Sequence, residues 1–435
     1  MKKIALISHG CAKNLVDSEL ILGLLAKNGY EITLNEDDSD IVLVNTCSFI
    51  HDAERESVDS VLELVNKNKK VIITGCLAQK HGEELKKAIP EIYALVGTTD
   101  FTKIIEIIKS IENGAEYVET ISKQPEYIYP EEIERQQITV GSSSYIKIAD
   151  GCNYRCGYCI IPYLRGDYHS RKIEDIIKEA KSLVKKGVTE LILIAQDTTA
   201  YGTDLYNKPM LAELLKELNK IEGLGWIRIM YAYPTQMTDE LLDTIANCEK
   251  VVKYVDIPLQ HSHPEMLKRM NRPSFDYREL VRNIRKHIPN VAIRTAFIVG
   301  YPGETEEEFS HLCDFIKDMK FNKMGVFEYS REKGTPSYSM KPSVPKKIMH
   351  ERYKKLMELQ QKISREINES FIGKTLPCII ESITDDGYIT ARTQFDAPEV
   401  DGVVYIKTDK PLIPGDIENI KIVSCDEYDL IGEVE

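Results

Sequence analysis

Three short runs of unbroken apolar residues open the chain, at 4–7, 41–44 and 71–73, and each leads into a stretch whose apolar positions recur at spacings of three and four. Unbroken runs suit strands covered on both faces and the wider spacing suits helices, so the pattern predicts parallel β-α units. A polar stretch at 122–144, with Pro125, Pro130 and a run of charged and amide residues from Glu131 to Gln137, lacks strong periodicity and predicts a linker. A second alternating series then predicts strands at 145–149, 190–195, 226–231, 254–257, 292–299 and 323–329, with intervening helices such as 173–186 and 306–317. Six such repeats predict a partial parallel barrel, whose chemistry belongs at the carboxyl ends of its strands. Apolar residues at 348, 353, 356, 357, 359, 363, 367 and 371 form a helical stripe that leans on this barrel. After Gly373 the pattern changes to short strands at 376–380, 388–392, 403–406, 417–423 and 430–434, with Asp-Asp-Gly and Pro-Gly turns, which suits a small barrel of the OB type. The expected class is α/β: an open parallel domain over 1–122, a linker over 123–143, a partial (β/α)6 barrel with its terminal helix over 144–368, and a small β-barrel over 369–435.

The length of 435 residues agrees with several cores rather than one. The first ten residues hold too short an apolar run for a signal peptide, and no later run approaches a membrane span, so a cytoplasmic protein is expected. A cytosolic chain rarely uses cysteines for disulfides, so its ten cysteines call for ligation or burial. The net charge of −13 argues against broad electrostatic grip on nucleic acid. The excess is concentrated after residue 371, where five Lys/Arg face fourteen Asp/Glu for a net of −9. Such a run is by default a solvated face; Asp385, Asp386, Glu399 and Asp401 are the candidates within it for meeting a basic partner.

Cys11, Cys47 and Cys76 each follow one of the three opening strands. Loops beyond the carboxyl ends of parallel strands share one edge, so three residues far apart in the chain can converge there. Core cysteines have no reason to repeat at one end of three successive strands, which favours ligation over burial. Directly after the first barrel strand stands Cys152-Asn-Tyr-Arg-Cys156-Gly-Tyr-Cys159. The chance that one of ten cysteines starts this spacing at random is about 0.005. Three thiolates bind three irons of a cubane and leave the fourth open for the amino and carboxylate groups of S-adenosylmethionine (SAM). Zinc would want a fourth protein ligand, and His169, the nearest candidate, lies beyond Pro162 and Gly166. Cys248, Cys313, Cys378 and Cys425 receive no role, and His261 and His263, after the fourth barrel strand, remain candidates only.

The Cys152–Cys159 run at the first strand end of a β/α series resembles the radical SAM superfamily. Three spaced cysteines in a preceding α/β domain, the barrel, and a terminal OB-like module resemble the methylthiotransferase family over essentially the whole chain. The string His9-Gly-Cys-Ala-Lys-Asn-Leu-Val-Asp-Ser-Glu19, with Asp396-Ala-Pro-Glu-Val-Asp-Gly402 and Ala195-Gln-Asp197, is similar to its RimO-like branch. That resemblance implies two 4Fe-4S clusters, on Cys11/Cys47/Cys76 and Cys152/Cys156/Cys159, a terminal TRAM module, SAM as cofactor, and an enzyme that inserts a methylthio group into an aspartate of ribosomal protein S twelve. Implied partners are that basic protein, in or near the small ribosomal subunit, and a low-potential electron donor; RNA contact is secondary. For SAM the resemblance implies Gln196 and Asp197 after the second barrel strand, and Gly300, Pro302, Gly303 and Glu304 after the fifth. By themselves the Pro-Gly pair makes a tight turn and Asp197 suits a turn cap. Arg165 and Arg171 match family positions near the barrel cluster, where either can neutralise a carboxylate or simply pair with Asp167 or Glu174.

Two rival readings remain at this point. A methylthiotransferase acting on a tRNA adenosine would want a Lys/Arg-rich module, and the tail is acidic. A non-catalytic iron-sulfur electron carrier or redox sensor would want every iron ligated by protein, whereas each site offers three cysteines.

Overall fold

The computed structural model describes residues 2–435 apart from Phe49, Thr139, Val140, Asp385, Asp386 and Asp409. Two members of the expected acidic face, Asp385 and Asp386, therefore lie outside the described residues. The chain divides into two compact units, one of residues 1–140, 149–155 and 159–169, the other of residues 141–148, 156–158 and 170–435.

In the first unit six parallel strands, β1 (Lys3–Ser8), β2 (Glu31–Thr33), β3 (Ile41–Thr46), β4 (Lys70–Gly75), β5 (Ala94–Val96) and β6 (Val118–Thr120), form one sheet in the order β2-β1-β3-β4-β5-β6. Every residue of β3 is buried, as expected of a strand covered by helices on both faces. Val42, Val44, Val71 and Ile73 pack beneath Val61, Leu64, Leu77 and Leu85 of the helices α1 (His51–Asn66) and α2 (Cys76–Ala88). The order reverses between β1 and β3, so the crevice beyond their carboxyl ends is a topological switch point.

The stretch at 122–144 is anchored to the first unit through Arg135. Buried Arg135 pairs with buried Glu19 at 3.1 Å, and the Gln136 N–H donates to the Glu19 carbonyl at 3.1 Å. Part of the polar composition here serves ion pairing to the Ala12–Lys27 helix.

In the second unit the strands Ser143–Lys147, Glu190–Ile194 and Trp226–Ile229 run parallel side by side, as do Tyr254–Asp256, Ala292–Val299 and Lys323–Glu328. A bridge between Ile227 and Val251 links the two groups, giving the partial barrel in chain order. The helix Lys346–Glu369 leans on its last strands, with Gln360 donating to the Phe321 carbonyl at 2.8 Å. Five strands between Thr375 and Val434 close a small barrel.

This module docks at the amino ends of the large barrel's strands, the face associated with stability rather than chemistry. Glu190, the first residue of its strand, accepts from Arg228 at 2.8 Å and from Arg392 of the module at 2.5 Å, all three fully buried. Lys323 pairs with Asp396 at 2.5 Å, and Asp401 accepts from the Tyr254 hydroxyl at 2.7 Å. Asp401 is thus not a surface contact for a basic partner: its side chain is 2% exposed and also faces Arg294 at 3.5 Å. Glu399 is exposed.

Burial raises the carboxyl pKa of Glu190, but Arg228 and Arg392 outweigh it and hold the group at about 2. A depressed carboxylate contributes stability that is full above its unfolded pKa, near 4.5, and fades as pH falls toward 2. Replacing Glu190 by Gln takes the carboxylate from buried Arg228 and leaves Arg392 with Glu381 alone, an expected loss of about 3–5 kcal/mol. Denaturant unfolding is expected to show that loss at neutral pH and a flatter decline of stability between pH 5 and 2 than in the parent. Equal stability of variant and parent at pH 7 would contradict the account.

Candidate functional site

The three N-terminal cysteines stand on one edge of the first sheet. Cys11 caps the Ala12–Lys27 helix, Cys47 follows β3 and Cys76 begins α2. The first two flank the switch point. Buried Asn14 ties their loops together, donating to the His9 carbonyl at 3.1 Å and the Thr46 carbonyl at 3.0 Å. Gly10 and Gly75, each directly before a cysteine, have φ of +93° and +94°. A Cβ on Gly10 would stand 2.7 Å from the Cys47 Cβ, and one on Gly75 would stand 2.4 Å from the Asn45 Oδ1, so neither position has room for a side chain.

Arg165, at the end of the short helix Ile161–Arg165 in the same unit, reaches this edge. Its Nη2 lies 4.0 Å from Cys76 Sγ and 2.6 Å from Asn14 Oδ1, while Nη1 is 2.7 Å from Asp17 and 2.8 Å from Asp150. Crowding by protein works to raise the Cys11 thiol, but Lys13, Arg165 and the Asn14 and Lys13 amides leave it lowered. Burial raises Cys76, and negative charge on Cys11 adds to the effect. Among the described residues no three His, Cys, Asp or Glu side chains stand close enough to share a single ion. A cubane asks for something different, since each thiolate takes its own iron, and three thiols carried past one sheet edge beside a cation fit that group better than zinc.

The loop between Asp150 and Ile161 carries Cys152, Cys156 and Cys159. Cys152 donates its N–H to the Gly166 carbonyl at 3.1 Å. Cys156 is buried, with its Sγ 4.0 Å from Arg272 Nη1. Arg272 donates to the Pro258 carbonyl at 2.6 Å and lies over the Tyr233 ring at 4.4 Å, while its buried Nε meets no hydrogen-bond partner among the described residues. A buried guanidinium against a thiol is a suitable counter-charge for an anionic cluster. Sequence reading missed Arg272, whose signal is limited to its place in the loop beyond the fourth barrel strand.

The remaining candidates are distributed around the carboxyl ends of the barrel strands. Asp197 Oδ1 accepts from the Thr199 N–H at 2.9 Å and the Ala200 N–H at 3.2 Å, capping the turn beyond the second strand, directly after half-buried Gln196. Glu304 accepts from the Gly300 N–H and from Arg352, both at 2.6 Å, and from His261 at 3.2 Å. His261 in turn accepts at Nδ1 from the His263 N–H at 3.0 Å, which assigns its proton to Nε2. Burial keeps His261 below the usual histidine range and so neutral at pH 7. The Gly300–Glu304 turn is therefore clasped by its own glutamate. Gly300 backs onto Met349 of the terminal helix, and Gly303 backs onto Arg269. Arg171 lies 2.6 Å from Glu179 and donates to the Lys147 carbonyl at 2.9 Å. Arg165, which the resemblance places near the barrel triad, lies against Cys76 of the other triad.

Family models match in three places: the Radical SAM superfamily over residues 146–316, Uncharacterized protein family UPF0004 over 3–97, and the TRAM domain over 372–434. A ribosomal protein uS12 methylthiotransferase RimO from Thermoanaerobacter sp. is 50% identical over the whole of both chains. The protein of the same name from Rippkaea orientalis is 48% identical over 98% of this chain and 95% of its own. The chain belongs to the RimO family. Among solved structures, the radical SAM methyltransferase TsrM from Kitasatospora setae, with tryptophan and a SAM analogue bound, matches 88% of this chain and 79% of its own at a TM-score of 0.58 and 16% identity. The cobalamin-dependent SAM radical enzyme OxsB matches 83% of this chain and 56% of its own at a TM-score of 0.51 and 12% identity. At such identities both likenesses concern the fold alone. Among the described residues no helix is long and apolar enough to cross a membrane.

Proposed function

We propose that this chain is a radical SAM methylthiotransferase that inserts a methylthio group at the β-carbon of an aspartate in ribosomal protein uS12. The observation that carries this reading is full-length identity of 44–50% to relatives of that one name, joined to two separate cysteine triads at strand ends. The cofactors are two 4Fe-4S clusters and SAM. When bound, they supply a carbon-centred radical that takes hydrogen from an unactivated C–H bond, and a methylated sulfur to replace it.

The chain's own residues divide the work. Cys152, Cys156 and Cys159 would hold the cluster that takes SAM, with Arg272 offsetting charge at Cys156. The Glu304–His261–Arg352 clasp keeps the turn beyond the fifth strand in one shape, and capped Asp197 does the same beyond the second. Cys11, Cys47 and Cys76 hold the second cluster. We assign these tasks to a domain of residues 1–122, a connecting segment 123–143, a barrel and helix 144–368 and a TRAM module 369–435. The partners are basic uS12, in or near the small ribosomal subunit, and a low-potential electron donor. All ten cysteines are free of disulfides, as suits the reducing cytoplasm.

Mass spectrometry of ribosomal proteins and tRNA, from cells with and without the gene, tests the substrate. A mass gain of SCH2 on one aspartate of uS12, dependent on the gene, is expected. The same gain confined to a tRNA adenosine would overturn the proposal.

A further inference from the structure

We propose that the segment 329–347 is the docking surface for a small acidic electron-carrier protein, which passes one electron by way of Ser337 and Gly157 to the cluster held by Cys152, Cys156 and Cys159. The inference rests on the cluster assignment above and adds to it the place and the charge of the donor. It begins from a local reversal of charge. In a chain of net −13, residues 329–350 hold five Lys/Arg against the single acid Glu332. Arg331, Lys341 and Lys346 are exposed, whereas Glu332 is buried. Of the carboxylates at the edges of the segment, Glu328 faces His350 at 2.9 Å and Glu351 faces Lys347 at 3.9 Å. Lys341 and Lys346 pair with no carboxylate among the described residues.

A charge run is by default a solvated face, but this one is built onto the cysteine loop. Its inner side is hydrogen-bonded: the buried Ser337 donates its N–H to the Gly157 carbonyl at 2.9 Å, and the Tyr329 hydroxyl donates to Ser337 Oγ at 2.8 Å. The Tyr301 hydroxyl meets Met340 Sδ at 3.5 Å, and its oxygen would stand 2.3 Å from a Cβ on Gly157, so the loop beside Cys156 is held from two directions. The outer side carries Tyr338, 40% exposed, with the Arg331 guanidinium 4.7 Å over its ring and donating to its carbonyl at 2.6 Å. Preorganised Tyr and Arg side chains are the kind that anchor protein interfaces. Lysines around such an anchor steer an acidic partner and lose that effect in salt. From Tyr338 the way inward is one peptide to Ser337, one hydrogen bond to Gly157 and one peptide to Cys156. The carrier is oxidised by one electron and the cluster reduced by one; no bond forms or breaks. Nucleic-acid phosphates would also suit the charge, but they have no use for a contact with the cysteine loop.

The test uses the anaerobically reconstituted full chain with an acidic 4Fe-4S ferredoxin as the carrier. The double change Lys341→Glu with Lys346→Glu is expected to weaken ferredoxin binding, measured by calorimetry, roughly tenfold at low salt. Release of 5′-deoxyadenosine driven by the reduced ferredoxin should fall with it, while release driven by dithionite, which needs no docking, stays at the parent rate. Lys341→Gln with Lys346→Gln should fall between parent and charge reversal, and added salt should weaken the parent more than either variant. Equal ferredoxin affinity in parent and variants, or no binding by the parent, would overturn the inference. A loss confined to binding of a ribosomal RNA fragment would overturn it as well and assign the segment to nucleic acid. Absence of dithionite-driven release from the parent is a separate result, and it counts against the cluster assignment rather than the docking surface.

Discussion

Replacing Cys152, Cys156 and Cys159 together by Ala is expected to remove about half of the roughly eight irons of the anaerobically reconstituted protein and to abolish release of 5′-deoxyadenosine. The argument is one of coordination number. Three thiolates leave one iron of a cubane free, and that vacancy is what allows SAM to bind through its amino and carboxylate groups and to accept an electron. Without the thiolates there is no iron to bind it. The buried Arg272 remains beside position 156, so a residual effect of that cation alone would appear in the triple variant. Iron analysis and chromatography of the nucleoside product under a strong reductant measure both quantities. A triple variant that still releases 5′-deoxyadenosine would refute the assignment.

The sequence reading was accurate where periodicity carries the signal. Buried strands of a parallel sheet are unbroken apolar runs, and β3, β4 and the strand Ala292–Val299 could be read to within a few residues. Three strands at the margins, β2, β5 and β6, were not read, because three residues are too few to show any period. The positions of the six cysteines were conspicuous, three because they repeat relative to the strands and three because they are closely spaced. Charged residues were less so. The resemblance set Arg165 near the barrel triad, and the structure sets its guanidinium against Cys76, which is 89 residues away in the chain. Asp401 looked like a member of an acidic surface, and it is instead held by Tyr254 and Arg294 at the amino ends of the barrel strands. A count of charges along a segment says nothing of which ones have internal partners. The polar stretch near Arg135 likewise holds an internal ion pair that its composition does not reveal.

The N-terminal triad is expected to be dispensable for SAM cleavage and indispensable for product. Arg272 and the clasp of Glu304 with His261 and Arg352 all belong to the unit that contains the barrel strands, and nothing in either depends on Cys11, Cys47 or Cys76. The N-terminal cysteines stand on a different sheet, at its own switch point, where the chemistry of three thiols suits a group that carries sulfur. A Cys11/Cys47/Cys76 triple Ala variant should therefore keep about half its iron and still release 5′-deoxyadenosine while adding no SCH2 to uS12. Ala is smaller than Cys at all three positions, so the variant is expected to fold, and circular dichroism checks that it has. Complete loss of SAM cleavage in a folded triple variant would contradict this separation of roles, and methylthio product from it would place the sulfur donor elsewhere.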